Sequence, residues 1–244
     1  MPGLPWYGLA YAAAFALAWI AARRLKWPEN IGPAFVDGLM LWCLAGAIVG
    51  GRLGYVIGYE PGYYLAHPAE IPHLWRGGMS FHGGLAGALA AVRLWSGPKL
   101  FLPSLDRVAL ITPLALFFGR LGNFFNGELW GTVSSVPWAI VFPAAGPQLR
   151  HPSPLYEAAL EGPILWIILW LYARRCPADG CVAAMLAVAY GLMRFGLEFF
   201  RQPDAAWGYL AWGWLTWGQV LSLILTVVGL IFFRRFRRRT CPMD

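Results

Sequence analysis

Charge is scarce in this 244-residue chain. Only 13% of its residues are Asp, Glu, Lys or Arg, and 59% are apolar. An average soluble domain carries ~25% charged residues. The deficit excludes a disordered chain, which stays solvated through charge and low hydrophobicity. It also excludes a soluble enzyme of ordinary type. Cysteine is scarce as well, with Cys43, Cys176, Cys181 and Cys241 alone. Cys176 and Cys181 flank a Pro-Ala-Asp-Gly turn with no histidine nearby, so the paired spacing of a zinc site is missing. Free thiols on a reducing side are expected, and a disulfide scaffold is excluded. There is no Gly-x4-Gly-Lys phosphate loop, no His-Glu-x2-His and no aspartate cluster of the kind that holds magnesium. Chemistry without nucleotide, metal or cofactor is therefore expected. Lysine is nearly absent, supplying only Lys26 and Lys99 of 19 basic residues against 12 acidic ones. In so apolar a chain, that basic excess reads as the anchoring of membrane helices rather than as a nucleic-acid footprint.

What is abundant is apolar sequence in long runs. A helix needs about 20 apolar residues to cross a bilayer core. Seven segments qualify: Pro5–Ala22, Ala34–Tyr59, Met79–Trp95, Val108–Phe125, Pro154–Ala173, Cys181–Phe200 and Leu215–Phe233. The expected fold is an all-α integral membrane protein, a single domain over 1–244 built as a bundle of about seven transmembrane helices. The first run is no signal peptide in type, because no basic residue precedes it and Arg23, Arg24 and Lys26 follow it. With the N-terminus outside and the C-terminus in the cytoplasm, 13 of the 19 basic residues fall at inner helix ends, as the positive-inside rule requires. The terminal run Arg234–Arg239 reads as a topology anchor, with a lipid-binding patch as the alternative. Six arginines break the rule: Arg52, Arg76, Arg120, Arg150, Arg194 and Arg201. The histidines His67, His73, His82 and His151 share their outer side. Two outer segments, near 60–78 and 127–152, are rich in Pro, Gly and aromatic residues.

Five groupings could carry chemistry. The second span reads Gly46-x3-Gly50-x3-Gly54-x3-Gly58, a spacing that lets another helix approach closely in lipid. On the same helix Arg52 shares a face with Tyr55 and Tyr59. An arginine inside a span is a functional candidate, unless it snorkels to the outer surface. In Gly77-Gly78-Met79-Ser80-Phe81-His82-Gly83-Gly84-Leu85, His82 lies at the lipid–water boundary with glycines around it. Its ordinary pKa near ~6.5 suits a general base, and a structural histidine is the alternative. At the end of the fourth span, Arg120, Asn123, Gly127 and Glu128 would share a face on a continuing helix. Arginine with amide donors suits a phosphate oxygen, and Glu128 could hold the arginine. In the sixth span Tyr190, Arg194, Glu198 and Arg201 form one stripe, in which Arg194 and Glu198 can simply pair. Ser153 is expected to cap the fifth helix with Pro154 at its first position. Glu157 and Glu161 are possible counter-charges for the outer arginines, and His151 is expected to position this corner. A positive site at headgroup depth predicts an anionic amphiphile, with phosphate on the arginines and tails in lipid.

These residues closely resemble the prolipoprotein diacylglyceryl transferases, bacterial inner-membrane enzymes. Matching blocks run from Trp6-Tyr7-Gly8-Leu9 through Gly50–Tyr55, Gly78–Leu85 and Gly119–Gly131 to Arg150–Glu157 and Tyr190–Asp204. The Gly119–Gly131 block looks like the family signature. The resemblance implies transfer of a diacylglyceryl group from phosphatidylglycerol to the lipobox cysteine of a prolipoprotein signal peptide. It would occur on the periplasmic side and release glycerol phosphate. The resemblance also implies that His82 is the base and that Arg120 and Arg194 are the essential arginines. Tyr7, Asn123, Glu128 and Tyr190 match further implicated positions, and Gly131 closes the signature where a close backbone is needed. Arg52 and Glu198 complete the expected substrate-binding set. The chain begins almost at its first span, and Thr132–Leu149 looks short beside many relatives, so a small outer head is expected. Two readings compete: a transporter or scramblase of anionic phospholipid, which needs the arginines but no base, and a non-catalytic membrane scaffold built on the glycine helix.

Overall fold

The computed structural model describes residues 6–27, 31–175, 178–203 and 208–237. The described residues are mostly helical. The helices are α1 (Trp6–Arg24), α2 (Pro33–Gly58), the short α3 (Pro61–Ala66), α4 (Phe81–Phe125), α5 (Ser153–Ala159), α6 (Leu165–Ala173), α7 (Cys181–Leu197) and α8 (Trp217–Arg237). Among the described residues, four helical stretches are long and apolar enough to cross a membrane. They are α2, α4, the Ser153–Ala173 stretch that joins α5 to α6, and α8; the 17-residue α7 is shorter. The third and fourth apolar runs, expected as separate spans, are one element in α4. A straight 45-residue helix would be about 68 Å long, over twice a bilayer core. The reconciliation lies at Gly97, where φ is +65° and the helical path breaks. Pro98 follows and can only start a new helix there. The two runs are thus two helices joined at a glycine–proline corner.

The chain forms two compact units, Ala22–Leu105 and a second made of Met1–Ala21 with Asp106–Asp244. In the first, α2 and the start of α4 are fitted together through glycine. A Cβ on Gly50 would lie 2.8 Å from Gly87 Cα, and one on Gly54 would lie 2.7 Å from Gly83 Cα. The expected glycine spacing therefore does serve close packing, though Gly58 meets nothing. At the other end of this unit, Arg23 pairs with Asp37 and Trp95 Nε1 donates to Phe35 O at 3.0 Å.

The second unit is tied at one end by Asp106. Its buried carboxylate accepts from the backbone N–H of Gly180 at 2.7 Å and of Ala183 at 2.8 Å, satisfying the first turn of α7. Ala109, Leu165, Leu169 and Val182 form the apolar core beside it. Helices α7 and α8 approach through Gly191, which lies against Ser222 and Thr226, and through Gly229, against Ala187 and Val188. Between α5 and α6 the backbone widens into a π turn, Leu160–Ile164. Pro163 has no N–H to continue an α-helical ladder. At Gly162 any side chain would run into Phe117. A small antiparallel pair, β1 (Ile140–Val141) with β2 (Leu149–Arg150), makes one corner of this unit.

Candidate functional site

The fourth apolar run stops being helical at Phe125, so the expected face containing Gly127 and Glu128 does not continue as helix. The chain reverses instead, with Gly127 at φ +69° and Leu129 at φ +55°. For a leucine that left-handed backbone costs about 1–2 kcal/mol. Neighbouring bonds hold it there. Glu128 N–H donates to Asn123 O at 2.9 Å, and the Ser153 hydroxyl donates to Leu129 O at 2.9 Å. Ser153 is thus the first residue of α5 and not its cap; Pro152 occupies the cap position. Its hydroxyl is spent across the fold on the strained carbonyl.

The reversal brings the signature residues onto a backbone lattice. Gly131 N–H donates to His151 O, Thr132 N–H to Phe200 O and Gln202 N–H to Trp130 O, at 3.0, 3.0 and 3.1 Å. Gly131 has no room for a side chain, since a Cβ would lie 2.6 Å from both His151 Cβ and Phe200 O. That accounts for its need of a close backbone. Arg150 adds a bond from its guanidinium to Gly131 O at 3.1 Å. His151 does position this corner: its Nδ1 lies 3.2 Å from the Tyr156 hydroxyl, and its ring packs edge-on against Phe200.

At the centre is a buried ionic cluster. Arg120 lies 2.9 Å from Glu157 Oε2, and its Nε donates to Glu161 Oε2 at 2.8 Å. Arg194 donates to Glu157 Oε1 at 2.8 Å and lies 2.7 Å from Glu198 Oε2. Arg201 reaches to 3.9 Å from the same Glu157 oxygen. Glu157 is therefore the hub that joins the two candidate phosphate arginines. Glu128 does not take that task; it accepts instead from Asn123 Nδ2 at 3.4 Å. Tyr190, on α7, packs on the apolar core and feels the charges of Glu161, Arg120 and Arg194. Glu157 and Glu161 were visible in the sequence as two acids four apart inside an apolar run. Their partners lie 37 and 41 residues away, beyond any local pattern.

The burial of the cluster decides what a ligand can meet. The side chains of Glu157 and Glu161 are 0% exposed, while Arg120 keeps 15% and Arg194 11%. The carboxylates of Glu157 and Glu161 are sealed within the protein, and each arginine keeps a small accessible fraction. Replacing such a buried ionic group by apolar residues often costs nothing in stability. Its presence therefore points to a task other than holding the fold. A guanidinium fork held in one orientation is suited to phosphate or carboxylate oxygens.

Arg52 and His82 lie in the other unit. Arg52 does not snorkel; it is 4% exposed. Its Nε donates to Ile71 O at 2.6 Å, and its terminal nitrogens donate to Glu70 O and Gly77 O at 2.9 and 2.6 Å. Its guanidinium also sits over the Tyr64 ring. Those bonds bind the outer segment to α2, and that segment leads directly into the His82 block. His82 is exposed in the first turn of α4, its ring edge-on to Phe81. Ser80 caps that helix, accepting from Gly83 N–H at 3.2 Å. The sequence reading missed this cap, although a serine just ahead of an apolar run was the available signal. Tyr7 falls in α1, and its side chain lies outside the described residues.

Comparison with known proteins decides the family. The sequence model of the family "Prolipoprotein diacylglyceryl transferase" matches residues 3–235. The chain belongs to this family. A phosphatidylglycerol–prolipoprotein diacylglyceryl transferase of Nitratidesulfovibrio vulgaris is 48% identical over 236 residues, covering 95% of this chain and 89% of the relative. The protein of the same name from Rhizobium meliloti is 46% identical over 245 residues, with 95% and 88% covered. That of Pseudomonas aeruginosa strain LESB58 is 48% identical over 233 residues, with 92% and 86% covered. Family membership and the apolar helices together make the chain an all-α bacterial membrane protein.

Proposed function

We propose that this protein transfers the diacylglyceryl group of phosphatidylglycerol to the lipobox cysteine of a prolipoprotein signal peptide. The observation that carries the reading is the pair of largely buried arginines, Arg120 and Arg194, joined through Glu157 and each held by a second carboxylate. The relatives' names supply the substrates that such a pair would meet.

In the proposed reaction the cysteine sulfur attacks the glycerol carbon that bears the phosphate. A C–S bond forms, the bond from that carbon to the bridging phosphate oxygen breaks, and glycerol phosphate leaves with that oxygen. A thiol of pKa ~8.5 is only about 3% ionised at pH 7. His82 accepts its proton and so raises the thiolate fraction during attack. The leaving phosphate gains a negative charge as the bond breaks. Arg120 and Arg194 stabilise that charge, and because Glu157, Glu161 and Glu198 already orient them, little reorganisation is needed at that moment. Tyr7, Asn123, Glu128 and Tyr190 complete the substrate-binding set. Arg52 contributes by holding the outer segment next to His82, and Gly131 by keeping the signature backbone close.

The topology that fits this chemistry has seven spans: α1, α2, the two halves of α4 on either side of Gly97, the Ser153–Ala173 stretch, α7 and α8. The N-terminus is periplasmic and the C-terminus cytoplasmic, in the inner membrane. The outer segments near 60–78 and 127–152 then face the periplasm, where a translocated signal peptide arrives. The basic last turn of α8, with Arg234, Arg235 and Arg237, supports this orientation.

The test of the base is His82→Asn. Purified variant protein is expected to bind phosphatidylglycerol yet lose transfer to a lipobox peptide by about a hundredfold, within the usual range for a general base. Transfer at the full rate would remove His82 from the mechanism.

A further inference from the structure

Helix α8 opens with a reciprocal cap. In Thr216-Trp217-Gly218-Gln219, the Gln219 N–H donates to Thr216 Oγ1 at 3.2 Å, and the Thr216 N–H donates to Gln219 Oε1 at 2.9 Å. This is the capping-box pattern, which satisfies two helix-end donors at once. Capping uses the threonine oxygen only as an acceptor. A hydroxyl also has one proton to give, and here it goes to Glu198 Oε1 at 3.0 Å. Glu198 can only accept, and its other oxygen lies 2.7 Å from Arg194. Thr216, Gln219 and Glu198 are all buried.

A second observation concerns the same carboxylate. A Cβ on Gly218 would lie 2.5 Å from Glu198 Oε1 and 2.7 Å from its Cδ. The missing side chain lets the first turn of α8 press directly on Glu198. The positive end of a 21-residue helix therefore faces a carboxylate, an arrangement that holds it in place. Glu198 is thus bounded by the Thr216 proton, the Gly218 backbone and Arg194, and has little freedom to turn.

We propose that Thr216 is a positioning residue for the transfer reaction: its hydroxyl proton, with Gly218 beside it, fixes Glu198, and Glu198 fixes the aim of Arg194. The inference rests on reading Arg194 as a phosphate-binding arginine. A helix cap as such is served equally well by Asp, Asn or Ser. What the carboxylate needs is a donor.

The experiment compares variants of the full chain, purified in detergent, with phosphatidylglycerol in mixed micelles and a lipobox peptide. It measures kcat, KM for the lipid and thermal stability. Thr216→Ser keeps cap and proton and is expected to stay within about twofold of the parent. Thr216→Asp keeps the cap but sets a second carboxylate against Glu198. It is expected to lower kcat at least tenfold, the scale of one hydrogen bond to a charged group. Gly218→Ala leaves the cap alone and displaces Glu198, with a similar fall expected. Arg194→Ala separates the two levels of the reading. If Arg194→Ala is slow while Thr216→Asp and Gly218→Ala run at the parental rate, the positioning role is overturned and the phosphate reading stands. If Arg194→Ala itself runs at the parental rate, the phosphate reading falls and the positioning role falls with it.

Discussion

Replacing Glu157 by glutamine removes one negative charge from a hub that faces three arginines and changes the shape of the side chain hardly at all. At an effective dielectric of 20, opposite unit charges 4 Å apart attract by about 4 kcal/mol. Glu157 has two such partners in direct contact, Arg120 at 2.9 Å and Arg194 at 2.8 Å, with Arg201 at 3.9 Å. Part of that attraction only offsets the desolvation of the carboxylate. The measurable loss on removing one partner of a buried pair is about 3–5 kcal/mol. Glutamine adds a further strain, because its NH2 has to face a guanidinium. For a chain of this size each kcal/mol lowers the melting temperature by about 2–4 °C, so a fall of roughly 6–20 °C is expected. The assay is thermal unfolding of purified protein in detergent, alongside diacylglyceryl transfer at a temperature where both proteins are folded. Transfer is expected to fall by about a hundredfold, since both arginines lose their common anchor, a loss comparable to removing one charge-stabilising donor. Glu60→Gln, at an exposed carboxylate, is the control and is expected to change stability by under ~0.5 kcal/mol. Unchanged melting and an unchanged rate for Glu157→Gln would refute the hub.

Arg120→Lys keeps the charge and loses the fork, so transfer is expected to be restored only in part relative to Arg120→Ala when the rates are compared at saturating lipid. Gly131→Ala pushes a methyl group into His151 and Phe200; thermal unfolding should show a loss of about 1–3 kcal/mol, as for other overpacked sites. Ser153→Ala removes the bond to the left-handed Leu129 and is expected to cost about 1 kcal/mol, read by melting, with a larger relative fall in transfer than in stability. Gly50→Val drives a branched side chain into the backbone of α4; a marked fall in melting temperature is expected, whereas Gly58→Val, which meets nothing, should melt like the parent.

Long apolar runs made most of the fold readable, because a bilayer imposes a length on every span. The runs ending at Trp95 and starting at Val108 were seen as two spans, and the Gly97–Pro98 corner that joins them within α4 is consistent with that division. The glycine spacing on α2 was readable for the same reason: only close helix packing rewards a four-residue repeat of the smallest side chain. The candidate site was legible as far as residue types go. Six arginines that the expected topology places on the outer side broke the rule that explained the others, and Arg120 and Arg194 are among them. Their pairing was not legible. Glu157 meets Arg120 and Arg194 over a separation of 37 residues either way, and no periodicity specifies which acid serves which arginine. Ser153 shows the same limit. A serine ahead of a proline at a helix start reads as a cap, but the long-range demand of the Leu129 carbonyl took its hydroxyl. Arg52 was read as a substrate-binding residue or a snorkelling side chain, and its bonds to carbonyls of a loop 18 to 26 residues away were beyond any local pattern.

The most direct measurement is the intact mass of a synthetic lipobox peptide after incubation of the purified protein with phosphatidylglycerol of defined acyl chains. The expected result is a mass increase equal to one diacylglyceryl group on the cysteine, with glycerol phosphate released in equal amount. A peptide of unchanged mass beside phosphatidylglycerol that has merely moved between leaflets contradicts the transferase reading.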